Sequence, residues 1–116
     1  MKNVKGWFLP EHDTHYEPMM KEYDGKWEYQ KDTRDFSLSF VKNWGIALDI
    51  GGNIGYWSQD LCKKFRTVWA WEPHPLNIEC YRENMKEFSN WQLEEIALSN
   101  KQVENAMLFS SPDESG

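Results

Sequence analysis

The decapeptide Ile46-Ala47-Leu48-Asp49-Ile50-Gly51-Gly52-Asn53-Ile54-Gly55 passes from a short apolar run into a cluster of glycines. A run of this length that stops at glycines reads as a buried parallel strand followed by a tight turn. Trp57, Leu61, Cys62 and Phe65 then share one helical face, so the turn leads into a helix. Thr67-Val68-Trp69-Ala70-Trp71 is rich in β-branched and aromatic residues and is stopped by Pro73, which predicts a second strand. Pro75 suits the first turn of a second helix, along which Ile78, Tyr81, Met85 and Phe88 recur at helical steps. Residues 91–96 can supply a third strand and residues 103–109 a fourth. The alternation is a βαβα unit and places the chain in the α/β class: parallel strands, right-handed crossovers and a ligand site at the carboxyl ends of the strands.

Upstream of this unit, residues 35–43 are ambiguous. Phe36, Leu38 and Phe40 alternate as in a strand, while Phe36, Phe40 and Val41 share a helical face; helix is the preferred reading. Residues 1–34 are polar, aromatic and weakly periodic, punctuated by Gly6, Pro10, Pro18 and Gly25. They read as an N-terminal extension outside the core, and residues 35–116 as the ligand-binding domain.

A length of 116 residues suits one domain, and 40% hydrophobic with 28% charged residues suits a soluble, folded one. A net charge of −6 argues against a nucleic-acid partner, whose phosphates call for clustered Lys and Arg. Lys63-Lys64-Phe65-Arg66 reads as a solvated helix end. Cys62 and Cys80 have no zinc-site spacing and read as buried, reduced thiols; no metal site is expected. No charged-then-apolar leader opens the sequence and no apolar run reaches membrane-spanning length, so the expectation is a cytoplasmic protein with no membrane partner.

The glycine turn is where a ligand is expected. Glycine tolerates positive φ and lets a ligand approach the backbone, and the turn leads to the amide groups that open the next helix. A dinucleotide fingerprint fails here: counted from Gly51 the third position is Asn53, and counted from Gly52 Ile54 takes the middle glycine's place. Asp49 at the entry to the turn would repel a pyrophosphate and welcome a cation. S-adenosylmethionine, with its ammonium and sulfonium, suits it better than NAD does. Glu72, directly after the second strand, can accept hydrogen bonds from a ribose diol, as an acidic residue about 20 positions on does in dinucleotide folds.

Ala47-Leu48-Asp49-Ile50-Gly51-Gly52-Asn53-Ile54-Gly55 and Val68-Trp69-Ala70-Trp71-Glu72-Pro73-His74-Pro75 resemble the first and second motifs of FkbM-type S-adenosylmethionine-dependent methyltransferases, most specifically over residues 46–85. The resemblance implies a Rossmann-like methyltransferase fold that O-methylates a small-molecule or sugar hydroxyl. By position, Asp49, Gly51, Gly52 and Gly55 would cradle the methionine part, Asn53 would bind its amino-acid end, and Glu72 would hold the ribose. The adenine would lie near Pro73, His74, Ile96 and Ala97. Residues 6–16 also resemble the opening of short phage members of the family, with His12 and His15 as candidate bases. The family's sheet has about seven strands, so this chain would hold its N-terminal half. A second copy could then complete the sheet, since an open edge invites pairing. The alternative reading is a non-catalytic S-adenosylmethionine-binding module or a subunit of a larger assembly.

Overall fold

The computed structural model of the protein describes residues 1–100 together with Met107 and Leu108. The chain opens with two antiparallel hairpins: β1 (Lys2–Val4) with β2 (Trp7–Leu9), and β3 (Lys21–Tyr23) with β4 (Lys26–Glu28). Each turns on two residues at positive φ, Lys5-Gly6 at 54° and 90° and Asp24-Gly25 at 50° and 84°. Such turns match the twist of the flanking strands. Between the hairpins lies a single helical turn, α1 (Tyr16–Met19), whose amides at Tyr16 and Glu17 donate to the buried Asp13 carboxylate. After β4 comes α2 (Lys31–Leu38).

The helix expected within residues 35–43 is therefore present, but it starts earlier and ends sooner. Its face also differs from the expected one. Leu38 and Arg34 are buried, whereas Phe36 and Phe40 are exposed and meet each other edge to face, their ring centroids 5.1 Å apart.

The βαβα unit follows as read: β5 (Ile46–Ile50), α3 (Tyr56–Lys64), β6 (Thr67–Trp71) and α4 (Pro75–Met85), then β7 (Trp91–Glu94). The three strands form one parallel sheet in the order β5-β6-β7, with Ile46 opposite Thr67 and Trp71 opposite Glu94. Of the fourth strand expected at 103–109, only Met107 and Leu108 lie within the described residues, and both are outside regular structure.

One face of the sheet packs on the helices. Ala47, Val68, Ala70, Leu61, Tyr81 and Met85 form its core, with Leu38 of α2 joining them. Cys62 and Cys80 are buried on α3 and α4, and desolvation pushes both thiols up to about 11. The other face is not covered by any described residue. Ile46, Leu48 and Ile50 are 63%, 58% and 64% exposed, so β5 is buried on one side only, in place of the fully buried strand that its apolar run suggested.

The first 34 residues also differ from the extension expected outside the core. Trp7, Leu9, Tyr16 and Met20 build a second hydrophobic cluster with Ile54, Tyr56 and Cys80 of the α/β unit. The side-chain amide of Asn84 on α4 ties this cluster down. It donates to the carbonyls of Phe8 (3.0 Å) and Ile54 (2.7 Å), while its oxygen accepts the Phe8 amide at 2.8 Å. Among the described residues no helix is long and apolar enough to cross a membrane.

Candidate functional site

The turn between β5 and α3 sits at the carboxyl end of the sheet, where α/β folds bind their ligands. Positive φ at Gly51 (79°), Asn53 (50°) and Gly55 (102°) bends the chain sharply enough to begin α3 there. Gly52 has a different reason to be glycine: a Cβ would stand 3.2 Å from the Tyr81 ring and 3.4 Å from the Ala70 methyl. The turn is therefore pressed onto the core.

Asp49 points off β5 towards α3, and its carboxylate accepts the Ser58 hydroxyl at 2.6 Å. Ser58 in turn accepts the Tyr81 hydroxyl at 2.8 Å. Burial raises the Asp49 pKa, the Ser58 hydrogen bond lowers it less, and the Glu72 charge adds to the rise. An anion held this way, with no cation of the protein bonded to it among the described residues, is stabilised by a positively charged ligand.

A cavity of about 350 Å³ opens beside this carboxylate. It is lined by the chain from Leu48 to Asn53, by Tyr56 and Trp57 of α3, and by Tyr16, Tyr29 and Gln30 of the N-terminal segment. Another, of about 410 Å³ between Ile46, Trp69 and Trp91, lies towards the amino ends of the strands and is lined by no ionisable side chain. The first pairs a carboxylate with the carboxyl end of the parallel sheet, and the second does not.

Of the residues singled out from sequence, Asp49, Gly51, Gly52 and Asn53 share this cavity. Gly55, Glu72, Pro73, Ile96 and Ala97 do not line it. Glu72 is 3% exposed, and its two oxygens accept the backbone amides of Asn53 (2.8 Å) and His74 (2.9 Å). In this structure it braces the turn from behind rather than facing a ribose. The turn's own amides are engaged likewise: Gly51 and Gly52 both donate to the Trp71 carbonyl at 2.9 Å. These two amides are therefore spent on β6 and are distinct from the amides that open α3 at Tyr56. Asn53 also bonds within the turn, to Gly51 at 3.4 Å, and to Asn77 at 3.3 Å.

His74 caps α4 by accepting the Leu76 amide at its Nδ1, and Ile96 and Ala97 are exposed beyond β7. His15 is half-buried, its Nε2 3.5 Å from the Tyr29 hydroxyl, and so lies one residue removed from the cavity; His12 is exposed and does not line it. Among the described residues no group of three His, Cys, Asp or Glu could hold a metal ion.

Sequence reading missed Tyr16, Tyr29 and Gln30. The signal was present in Asp24-Gly25, a hairpin dipeptide between two short β-prone runs, which folds this segment back over the turn.

No protein-family model matches the chain, and no curated protein sequence matches it. Solved structures do. The phosphoethanolamine N-methyltransferase 1 of Haemonchus contortus, in complex with phosphoethanolamine and S-adenosylhomocysteine, matches with a TM-score of 0.51 and 22% identity, over 56% of this chain and 14% of that one. The precorrin-6y C5,15-methyltransferase of Geobacter metallireducens matches with a TM-score of 0.50 and 24% identity, over 57% and 38% of the two chains. The precorrin 8w decarboxylase of Methanobacterium thermoautotrophicum matches with a TM-score of 0.53 and 19% identity, over 82% and 47%. The chain thus spans less than half the length of each of these proteins. At such identities the likeness shows the fold: a partial Rossmann-like methyltransferase fold built on a parallel three-stranded sheet.

Proposed function

We propose that the chain binds S-adenosylmethionine beside Asp49 and serves methyl transfer to a hydroxyl of a sugar or other small molecule, as an FkbM-type methyltransferase. The observation that carries this reading is the half-buried Asp49 carboxylate on a cavity at the carboxyl end of β5, in a fold shared with methyltransferases. The residues present fit the ligand. The cavity holds one carboxylate for a cation, aromatic side chains for its apolar parts, and a glycine turn that lets it approach the backbone.

The cofactor supplies an electrophilic methyl group. Asp49 holds the positive end of the ligand, and Glu72 keeps the turn in place by binding the Asn53 amide. Tyr56 is kept un-ionised by burial, so it serves as a hydrogen-bonding group and not as a base. His15, its Nε2 3.5 Å from the Tyr29 hydroxyl, is the candidate base for the acceptor's hydroxyl proton. Aligning an acceptor oxygen behind the methyl group is the remaining task, and orientation of this kind lowers the barrier by several kcal/mol, about 7–11 in the best cases.

Titration calorimetry with S-adenosylmethionine tests the reading: the wild-type chain is expected to bind and Asp49→Ala to lose most of the affinity. Binding that is absent, or equal in the two proteins, sinks it. A second reading, a binding module that works with another polypeptide, is supported by the open face of the sheet. It predicts ligand binding without release of S-adenosylhomocysteine when glycans and small alcohols are offered as acceptors.

A further inference from the structure

Residues 28–34 cross between the hairpin and the α/β unit, and an unusual set of interactions holds them. Arg34 is fully buried. Its Nε donates to the Asp60 carboxylate of α3 at 2.6 Å, its Nη1 to the Tyr29 carbonyl at 2.8 Å, and its Nη2 to the Glu28 carboxylate. One guanidinium therefore ties Glu28 and Tyr29 to the helix that follows the glycine turn, while the Arg34 backbone amide holds the Gln30 carbonyl at 2.9 Å.

Gln30 sits between those anchors at φ 58° and ψ 29°, a left-handed conformation that a glutamine adopts at a cost. That conformation carries its side chain to α3, where its Oε1 accepts the Trp57 indole N–H at 3.0 Å. The amide nitrogen remains as a donor on the cavity that Gln30, Tyr29 and Trp57 line together with Asp49. Tyr29 lies 5.0 Å from Tyr16 and 5.1 Å from Tyr56, centroid to centroid, so the cavity that Asp49 lines also carries a cluster of three aromatic rings. Aromatic faces beside a carboxylate make a receptor for an organic cation, with attraction from both sides.

We propose that Tyr29 forms a specificity wall that recognises the cationic, sulfonium-bearing end of the ligand, that the Gln30 amide donates to the ligand's carboxylate, and that Arg34 is the positioning residue of both. The proposal rests on the reading that S-adenosylmethionine binds beside Asp49, and adds that this site selects its ligand by charge. The neutral thioether S-adenosylhomocysteine offers the same shape without the sulfonium charge, so the two ligands separate recognition of charge from packing.

The test is titration calorimetry of the wild-type chain and of Tyr29→Leu, Tyr29→Phe and Gln30→Gly against both ligands, with melting curves alongside. Gln30→Gly suits the left-handed backbone, so it is expected to melt no lower than wild type while binding S-adenosylmethionine severalfold more weakly. Tyr29→Leu is expected to lose about tenfold for S-adenosylmethionine and clearly less for S-adenosylhomocysteine, and Tyr29→Phe to keep the wild-type preference. The proposal is overturned if Gln30→Gly binds both ligands as wild type does, or if a folded Tyr29→Leu binds both as wild type does or weakens both equally. Trimethylsulfonium, followed by NMR shifts of the Tyr29 and Trp57 rings, distinguishes the two levels of the argument. A wild-type chain that takes neither adenosyl ligand but shows those shifts keeps the wall and loses the proposed cofactor; silence towards all three overturns both.

Discussion

At Asp49 the unliganded chain holds an ionised carboxylate where burial disfavours it. Its folded pKa lies above its ordinary value, so between the two values the folded state binds more protons than the unfolded one, and stability falls as pH rises through that window. Asp49→Asn removes this effect. It is expected to raise the melting temperature of the unliganded chain at about pH 7, to change it little near pH 4, and to weaken the shift caused by S-adenosylmethionine. Melting curves across that range, with and without ligand, check all three; an unliganded Asp49→Asn that melts below wild type at neutral pH contradicts the assignment. Asp49 and the glycines were legible because their chemistry is local: positive φ and a carboxylate at a strand end leave a mark in consecutive residues. The engagement of Glu72 was not legible. Its partners, the amides of Asn53 and His74, are backbone groups whose direction depends on how β5 and β6 pair.

Secondary-structure elements were read best where a glycine or proline bounds a short apolar run, as at Ile50-Gly51 and Trp71-Glu72-Pro73, and the strands Ile46–Ile50 and Thr67–Trp71 have the expected limits. They were read worst where the buried residue is charged. Periodicity put Phe36, Phe40 and Val41 on one helical face; Val41 packs against the core, but the two phenylalanines are exposed and α2 buries Arg34, because Glu28 and Asp60 arrive from other elements to neutralise it. Burial alone would raise the Asp60 pKa, but the Arg34 hydrogen bond and charge outweigh it and hold the carboxyl below its ordinary value. Removing one partner of such a group strands the others. Arg34→Met is expected to destabilise the chain by about 3–5 kcal/mol, measured by urea unfolding, far more than loss of an exposed ion pair. A loss under about 1 kcal/mol would show that the cluster holds nothing together.

Across the whole molecule the parallel sheet has one packed face and one open face. Ile46, Leu48 and Ile50 stand in a row on the β5 edge, with Trp69 exposed beside them on β6. An apolar strip along a strand whose outer edge no described residue pairs favours association. The chain is expected to self-associate as concentration rises, and Leu48→Lys to reduce this, as read by sedimentation velocity. A wild-type chain that stays monomeric at every concentration would show the strip to be harmless. Sequence pattern predicted strands here but not their one-sided burial, because a continuous apolar run looks the same whether its second face is covered or bare.

The Asn84 amide that clasps Phe8 across 76 positions also sets an order of events during synthesis. A lone hairpin is marginal in water, so β1 and β2 gain their support only when α4 has been made. At about 5–20 residues per second, roughly 4–15 seconds pass between the two ends of that clasp. Through that interval Trp7 and Leu9, fully covered in the finished fold, travel on the nascent chain without their final cover. Trp7 and Leu9 thus leave the ribosome well before the helix whose arrival shelters them.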